Sequence, residues 1–273
     1  MTTQHEKAQH FRELHERDGA FIIPNPWDVG SARLLAALGF EALATTSAGF
    51  AQTLGRLDGR VTLDEKIEHC RLLCAATGVP VSADLENGFA DSPEEVAATI
   101  RRAAEVGLVG ASIEDFSGGE DGTIYDHALA VERVEAAVEA ARALDFPFTL
   151  TARVENQLRR RNDFEDTIRR LQAFEVAGAD VLYAPGLTTL DEVRRVTGAV
   201  ERPINVLAPM IPGATAAELA DAGAKRISIG GALARAAVMP LLHAGREMLG
   251  DGTFGWTSLM PPHGLVEEIL GSE

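Results

Sequence analysis

Two cysteines in 273 residues, Cys70 and Cys74, leave no room for a disulfide framework or a zinc-type ligand set. They stand four apart in IEHCRLLCAATG, on one face of an expected helix, where core packing accounts for both. Positive charge is also scarce: 25 basic against 41 acidic side chains give a formal net charge of −16. That balance argues against nucleic acid and anionic membrane surfaces as partners. It leaves room for a small carboxylate substrate, which needs only a local cation. No apolar run approaches the length of a membrane span, about 20 residues. The N-terminal MTTQHEKAQHFRELHERDG is polar and helical in pattern, without the apolar core of a signal peptide. The expected compartment is a reducing cytoplasm. No linker, low-complexity segment or Gly-rich phosphate loop after the first expected strand interrupts the chain.

What the chain does have is one grammar repeated: an amphipathic run, a glycine, then a short apolar stretch. LLAALGFEALATTS, AAEVGLVGASIED, FEVAGADVLYAPG and LADAGAKRISIGG share it. Gly39, Gly107, Gly178 and Gly223 fall where a helix ends in a left-handed residue. Strands are expected over 20–26, 42–47, 79–85, 110–115, 148–154, 180–184, 203–208 and 226–230, with helices in most gaps. Eight apolar strands alternating with helices in this length predict a (β/α)₈ TIM-type barrel. The whole chain, 1–273, reads as one domain with an N-terminal helix and a C-terminal extension.

Chemistry in such a barrel sits at the C-terminal ends of the strands. Those ends carry Asn25 and Asp28, then Ser47 with Gly49, then Asp84 with Glu86, then Glu114 and Asp115. Arg153, Glu155 and Asn156 follow in LTARVEN, Asn205 in PINVLAP, and Asp58 in the loop LGRLDG. Each alone has a plain explanation, as a helix cap, a turn or a salt bridge. In SADLENG, however, Asp84 and Glu86 share one side of an extended chain, and unpaired neighbouring carboxylates are costly to bury. Several carboxylates on one rim, with an arginine and amides but no His or Cys, predict Mg²⁺, or alternatively Mn²⁺.

PNPWDVGSARLLAALGFEALATTSAG, VPVSADLENGF, GASIEDF, TARVEN and AGADVLY together resemble the isocitrate lyase/phosphoenolpyruvate mutase superfamily, over about residues 20 to 230. The resemblance implies Mg²⁺-dependent chemistry on 2-oxo or 2-hydroxy carboxylates through an enolate-like intermediate. It also implies a homo-oligomer, dimer or tetramer, whose last helix is often exchanged between subunits. Carried over by position, Asp84 is the direct metal ligand, with Glu86, Asp58 and Glu114 joining it directly or through water. Ser47 and the amides near Ala48 and Gly49 cradle a carboxylate or enolate oxygen, Arg153 grips the substrate carboxylate, and Asn205 lends an amide.

Where this chain departs from the family, the departures are chemical. The cleaving lyases carry a cysteine general acid in the loop after strand four, whereas FSGGEDGTIYDHALAV has none. The phosphonopyruvate-processing members keep a lysine there and a histidine after strand six. This chain has no lysine in the loop and Ala184 at the histidine position. Tyr125 and His127 either replace the missing acid or simply belong to the lid and the next helix. Residues 117–127 are expected to form a mobile lid, and Arg159, Arg160 and Arg161 a solvated helix start. The leading expectation is a carbon–carbon lyase or decarboxylase of a small oxo-diacid. The alternative is a phosphonopyruvate-type mutase or hydrolase.

Overall fold

The computed structural model describes residues 2–118, 122–161 and 163–271. Eight strands form one sheet: β1 (Phe21–Ile23), β2 (Leu43–Ala44), β3 (Val81–Asp84), β4 (Gly110–Glu114), β5 (Thr149–Arg153), β6 (Val181–Tyr183), β7 (Ile204–Leu207) and β8 (Ala224–Ser228). Their order is β1-β8-β7-β6-β5-β4-β3-β2, and every laddered pair is parallel. This is the expected (β/α)₈ barrel, with all eight strands where the apolar stretches placed them. The last strand begins two residues earlier than the pattern suggested, at Ala224.

Helices fill the gaps: α1 (Gln4–Glu16), α2 (Val29–Ala37), α3 (Ser47–Thr53), α4 (Leu63–Ala76), α5 (Pro93–Glu105), α6 (His127–Arg142), α7 (Phe164–Val176), α8 (Leu190–Thr197), α9 (Ala216–Asp221), α10 (Ala232–Gly250) and α11 (Leu265–Gly271). In α5, Ser92 caps the first turn, Pro93 follows at a position that needs no N–H, and Val96, Ile100, Ala103 and Ala104 recur on the buried face. Each fully buried aliphatic side chain of this kind contributes roughly 1.5–3 kcal/mol. Gly39, Gly107, Gly178 and Gly223 have φ of 94°, 99°, 97° and 95°. Those are the left-handed helix ends read from the repeat.

The eighth barrel helix behaves differently. Over its length α10 buries only Ala234 and Ala244, while Leu241 and Leu249 stand exposed. The chain then turns through Gly255–Leu259, and α11 packs on α2.

β1 and β2 share no ladder. Ala44 N donates to Pro24 O (3.0 Å), and Asn25 Nδ2 donates to Thr45 O (3.2 Å). Asn25 Oδ1 meanwhile accepts from Ile229 N and Gly230 N at 3.0 and 2.8 Å, so one side chain stitches both neighbours of β1.

Candidate active site

β3 delivers Asp84 to the rim, where backbone N–H groups fix it: Ser47 N donates to Oδ2 and Glu86 N to Oδ1, both at 3.2 Å. Burial alone would raise this carboxyl, but Arg153, then Lys66, then the two amides outweigh it and hold it below its ordinary value. Two residues on, Glu86 adopts φ +50°, a left-handed conformation that a side chain other than glycine's rarely takes. Glu86 O accepts from Glu114 N (2.9 Å), tying the strained turn to β4. Burial, then the charges of Asp84 and Asp58, push the Glu86 carboxyl up to about 7.

The loop after α3 carries Asp58 back over the mouth. The residue as a whole is exposed, but its carboxyl accepts from the Ser47 hydroxyl; desolvation, followed by Asp84, raises it. Burial likewise raises Glu114 well above its ordinary value, with Glu155 and Asp84 adding to the push and Arg153 and Arg159 opposing it.

Arg153, at the end of β5, holds these acids together. Its Nε lies 2.5 Å from Glu155 Oε1 and 3.3 Å from Glu114 Oε2, and its Nη1 lies 3.9 Å from Asp84 Oδ1. Glu155 is fully buried and takes a second cation, Arg159, at 2.9 Å. The expectation of a helix start at 159–161 is therefore corrected, while the three arginines are exposed as expected. α7 begins only at Phe164, and residues 155–161 form a turn that folds Arg159 back onto Glu155 and the Phe116 ring. Beneath this, Arg170 bridges Asp115 (3.2 Å) and Asp166 (2.8 Å), and Asn156 donates to Asp166.

The other expected residues divide. Ser47, Ala48 and Gly49 open α3 rather than end a strand, because Thr46 caps the helix. Ser47 N is committed to Asp84 and Gly49 N to Thr46 Oγ1, so the three-amide cradle narrows to Ala48 N–H among the described residues. Asn205 reaches the barrel interior, but its amide is engaged by Ser228 Oγ and Arg226 Nε, both at 2.9 Å. Tyr125 and His127 do not join the group. The Tyr125 ring lies under the Arg133 guanidinium, and its hydroxyl donates to Asp91 and accepts from Asn87. His127 is the first residue of α6 and faces an outer groove shared with α7. Asp28 is a helix cap, its Oδ1 accepting from Ser31 N at 2.7 Å.

The base of the expected lid is a narrow hairpin: Phe116 bridges Ile124, and Ser117 N donates to Thr123 O. Its tip, residues 119–121, lies outside the described residues. Both cysteines sit on α4, Cys70 fully buried, with their thiols pushed up to about 11 and about 12, chiefly by burial.

Under the rim lies a cavity of about 60 Å³, with Asp84, Arg153, Tyr183, Asn205, Arg226 and Ser228 among its walls. Tyr183, Arg226 and Glu155 are the residues that strand-end reading missed or left without a role. A charged residue inside the apolar run AKRISIGG was the available signal for Arg226.

The donor set suits a hard divalent cation, being all oxygen. Among the described residues, no three acids, histidines or cysteines converge tightly enough to cage an ion alone.

The family model for phosphoenolpyruvate phosphomutase matches residues 11–249. An uncharacterized protein of Mycobacterium tuberculosis is 34% identical over 240 residues, covering 87% of this chain and 88% of its own. The 2,3-dimethylmalate lyase of Eubacterium barkeri is 28% identical over 217 residues, covering 76% and 72%. Among solved structures, a candidate lyase/mutase of Burkholderia cenocepacia J2315 superimposes with a TM-score of 0.96 at 56% identity, over 98% of each chain. Matched over residues 11–249, the chain belongs to the phosphoenolpyruvate phosphomutase family of the isocitrate lyase/phosphoenolpyruvate mutase superfamily.

Proposed function

We propose that this protein is a Mg²⁺-dependent carbon–carbon lyase or decarboxylase of a small 2-oxo or 2-hydroxy dicarboxylate. The observation that carries the reading is the meeting of Asp84, Glu86 and Asp58 with Arg153 around one mouth, under a loop that lacks cysteine. Asp84 would hold the cation, with Glu86, Asp58 and Glu114 joining directly or through water. The cation's part is to place positive charge against the oxygen that gains negative charge as the bond breaks.

The chain's own groups do the rest. Arg153 has its Nε committed to Glu155, which leaves its Nη groups to grip a carboxylate. Ala48 N–H offers a donor beside it. The Glu155–Arg153–Glu114 contacts lock the guanidinium in place before substrate arrives, which lowers the cost of ordering it. Loss of CO₂ needs no acid at the departing group, so the missing cysteine is no obstacle to decarboxylation.

One observation favours a second reading. Arg159 lies beside Glu155 and 3.9 Å from Glu114, which brings an extra cation to the mouth of the kind a phosphonate requires. That supports a phosphonopyruvate-type mutase or hydrolase.

The two readings separate in one screen of oxaloacetate, dimethylmalate, isocitrate, methylisocitrate and phosphonopyruvate, with and without Mg²⁺. Metal-dependent cleavage of oxaloacetate or dimethylmalate supports the first. Turnover confined to phosphonopyruvate selects the second, glyoxylate from isocitrate refutes the argument from the missing cysteine, and no turnover of any of them refutes an enzyme of this class. The poorly seated α10 and the exposed Leu241, Leu249 and Phe254 support a homo-oligomer built through this helix. Light scattering tests it.

A further inference from the structure

A broken carbon–carbon bond leaves its electron pair on one fragment, and something must protonate that carbon. Four residues with acid–base chemistry are ruled out by position: Cys70 and Cys74 lie on α4, Tyr125 is engaged with Asp91, and His127 faces an outer groove. Tyr183, the second of the chain's two tyrosines, ends β6 inside the barrel. It is 8% exposed and lines the same cavity as Asp84 and Arg153. The other proton-bearing groups on those walls are unsuited. Serine and threonine hydroxyls are weaker acids, guanidinium groups keep their protons, and Asp84 is held ionised.

A second feature points the same way. Arg226 is 5% exposed, and among the described residues it pairs with no carboxylate. Its partners are neutral: Asn205 Oδ1 at 2.9 Å, Thr151 Oγ1 at 3.0 Å, and the ring of His15, which burial, followed by Arg226, holds at about 3 and so uncharged. A buried cation without a counter-charge costs several kcal/mol. It faces the cavity wall that carries Tyr183, to which it is joined through Asn205 and Ser228. Across that wall the Arg153 guanidinium lies 5.3 Å from the Tyr183 ring centre.

We propose that Tyr183 is the proton donor of this site, giving its phenolic proton to the carbanionic carbon of a bound 2-oxo acid while Arg153 and Arg226 balance the phenolate left behind. The inference rests on the oxo-acid reading above and deepens it. In the step, the Tyr183 O–H bond breaks and the enolate's carbon–carbon π pair forms the new C–H bond. The negative charge passes to the phenolate oxygen, and a solvent proton then restores the phenol. Cleavage of an oxo-diacid to CO₂ thus consumes one proton overall. The groups facing the phenol are Arg153, Glu155, Asp84, Arg226 and Ser228; burial, the largest influence, pushes it up to about 12, so it enters the reaction protonated.

The test is the ketonisation of enolpyruvate, released in place from phosphoenolpyruvate by a phosphatase and followed by NMR in the presence of Mg²⁺, which needs delivery of a proton to carbon and no carbon–carbon cleavage. The wild type should accelerate ketonisation, and Tyr183→Phe should lose about 10²-fold or more of that acceleration while keeping its Mg²⁺ affinity by calorimetry. Ketonisation by Tyr183→Phe at the wild-type rate, no acceleration by the wild type, or loss of Mg²⁺ binding in the variant would each overturn the assignment. Release of CO₂ from oxaloacetate is measured alongside. If it persists while ketonisation is not accelerated, the lyase reading stands without Tyr183. If ketonisation depends on Tyr183 but no CO₂ appears, Tyr183 stands and the decarboxylase reading falls.

Discussion

Replacing Glu86 by glutamine should stabilise the metal-free protein above neutral pH and leave it unchanged in acid. Burial, followed by Asp84 and Asp58, lifts the Glu86 carboxyl from the ordinary 4.5 to about 7 in the folded chain. An acid raised on folding favours the fold only while it keeps its proton. Its contribution is whole below pH 4.5 and is lost as the pH climbs to about 7, because the unfolded chain releases the proton first. At about 1.36 kcal/mol per unit, the loss is roughly 3 kcal/mol, a ceiling given that the side chain is partly exposed. Glutamine has the same shape and no charge, so it escapes the loss. For a chain of this size 3 kcal/mol corresponds to about 6 °C in melting temperature. Thermal melts of both proteins in chelator at pH 5, 6, 7 and 8 should diverge progressively, and Mg²⁺ should close the gap by stabilising the wild type alone. A separation that stays constant from pH 5 to 8 would refute the reasoning, since it would show that Glu86 does not titrate in that window.

Asp84→Asn should abolish Mg²⁺ binding by calorimetry and leave the circular dichroism of the barrel intact; undiminished affinity would remove Asp84 as the principal ligand. Arg153→Lys keeps the charge but loses the Nε that meets Glu155 and Glu114 and the Nη fork left to grip a carboxylate, and should cost about 1–3 kcal/mol in kcat/KM on the substrate the screen identifies. Cys70→Ser with Cys74→Ser should leave kcat unchanged, because neither thiol ionises near neutrality and both lie on α4; a large fall in kcat at intact fold would reinstate a cysteine acid. If the loop after β4 is a lid, limited proteolysis should cut within 117–123 first and be slowed by Mg²⁺ plus oxalate, whereas equal cutting in both conditions counts against it.

The barrel was legible because its signals are local. The apolar stretches, the glycines at helix ends and the Thr or Ser caps each act within a few residues, and strand ends came out within three residues of the expected ones. Asp84, Glu86, Glu114 and Arg153 were legible for a related reason: a barrel sends the end of every strand to one rim, so position along the chain stands in for position in space. What was not legible depended on long-range geometry. Nothing near Tyr183 marks it as facing Arg153, since the contact joins β5 to β6. Arg226 finds Thr151 and His15 across 75 and 211 residues of sequence. The engagement of Tyr125 with Arg133 and Asp91, from α6 and the turn before α5, likewise joins distant elements. The contact of Arg159 with Glu155 was not legible because its folding-back depends on a turn in which Arg160 takes φ +57°, which no propensity announces.

The stitched join between β1 and β2 gives the cylinder a hinge line. Seven of its joins are ladders, and the eighth is one main-chain bond plus the side chain of Asn25. Separating two laddered strands breaks several bonds cooperatively, whereas parting this pair breaks two. Among the described residues this is the join held without a ladder, so an amide proton at the seam is expected to exchange before those of the laddered strands. Asn25 and Thr46 stand on the two lips of that join, and both line the cavity, so the seam forms part of the site's own wall. Because Asn25 bonds to β8 as well as to β2, a change at this one amide would loosen three strands at once and alter how fast ligands enter and leave before it alters how tightly they are held.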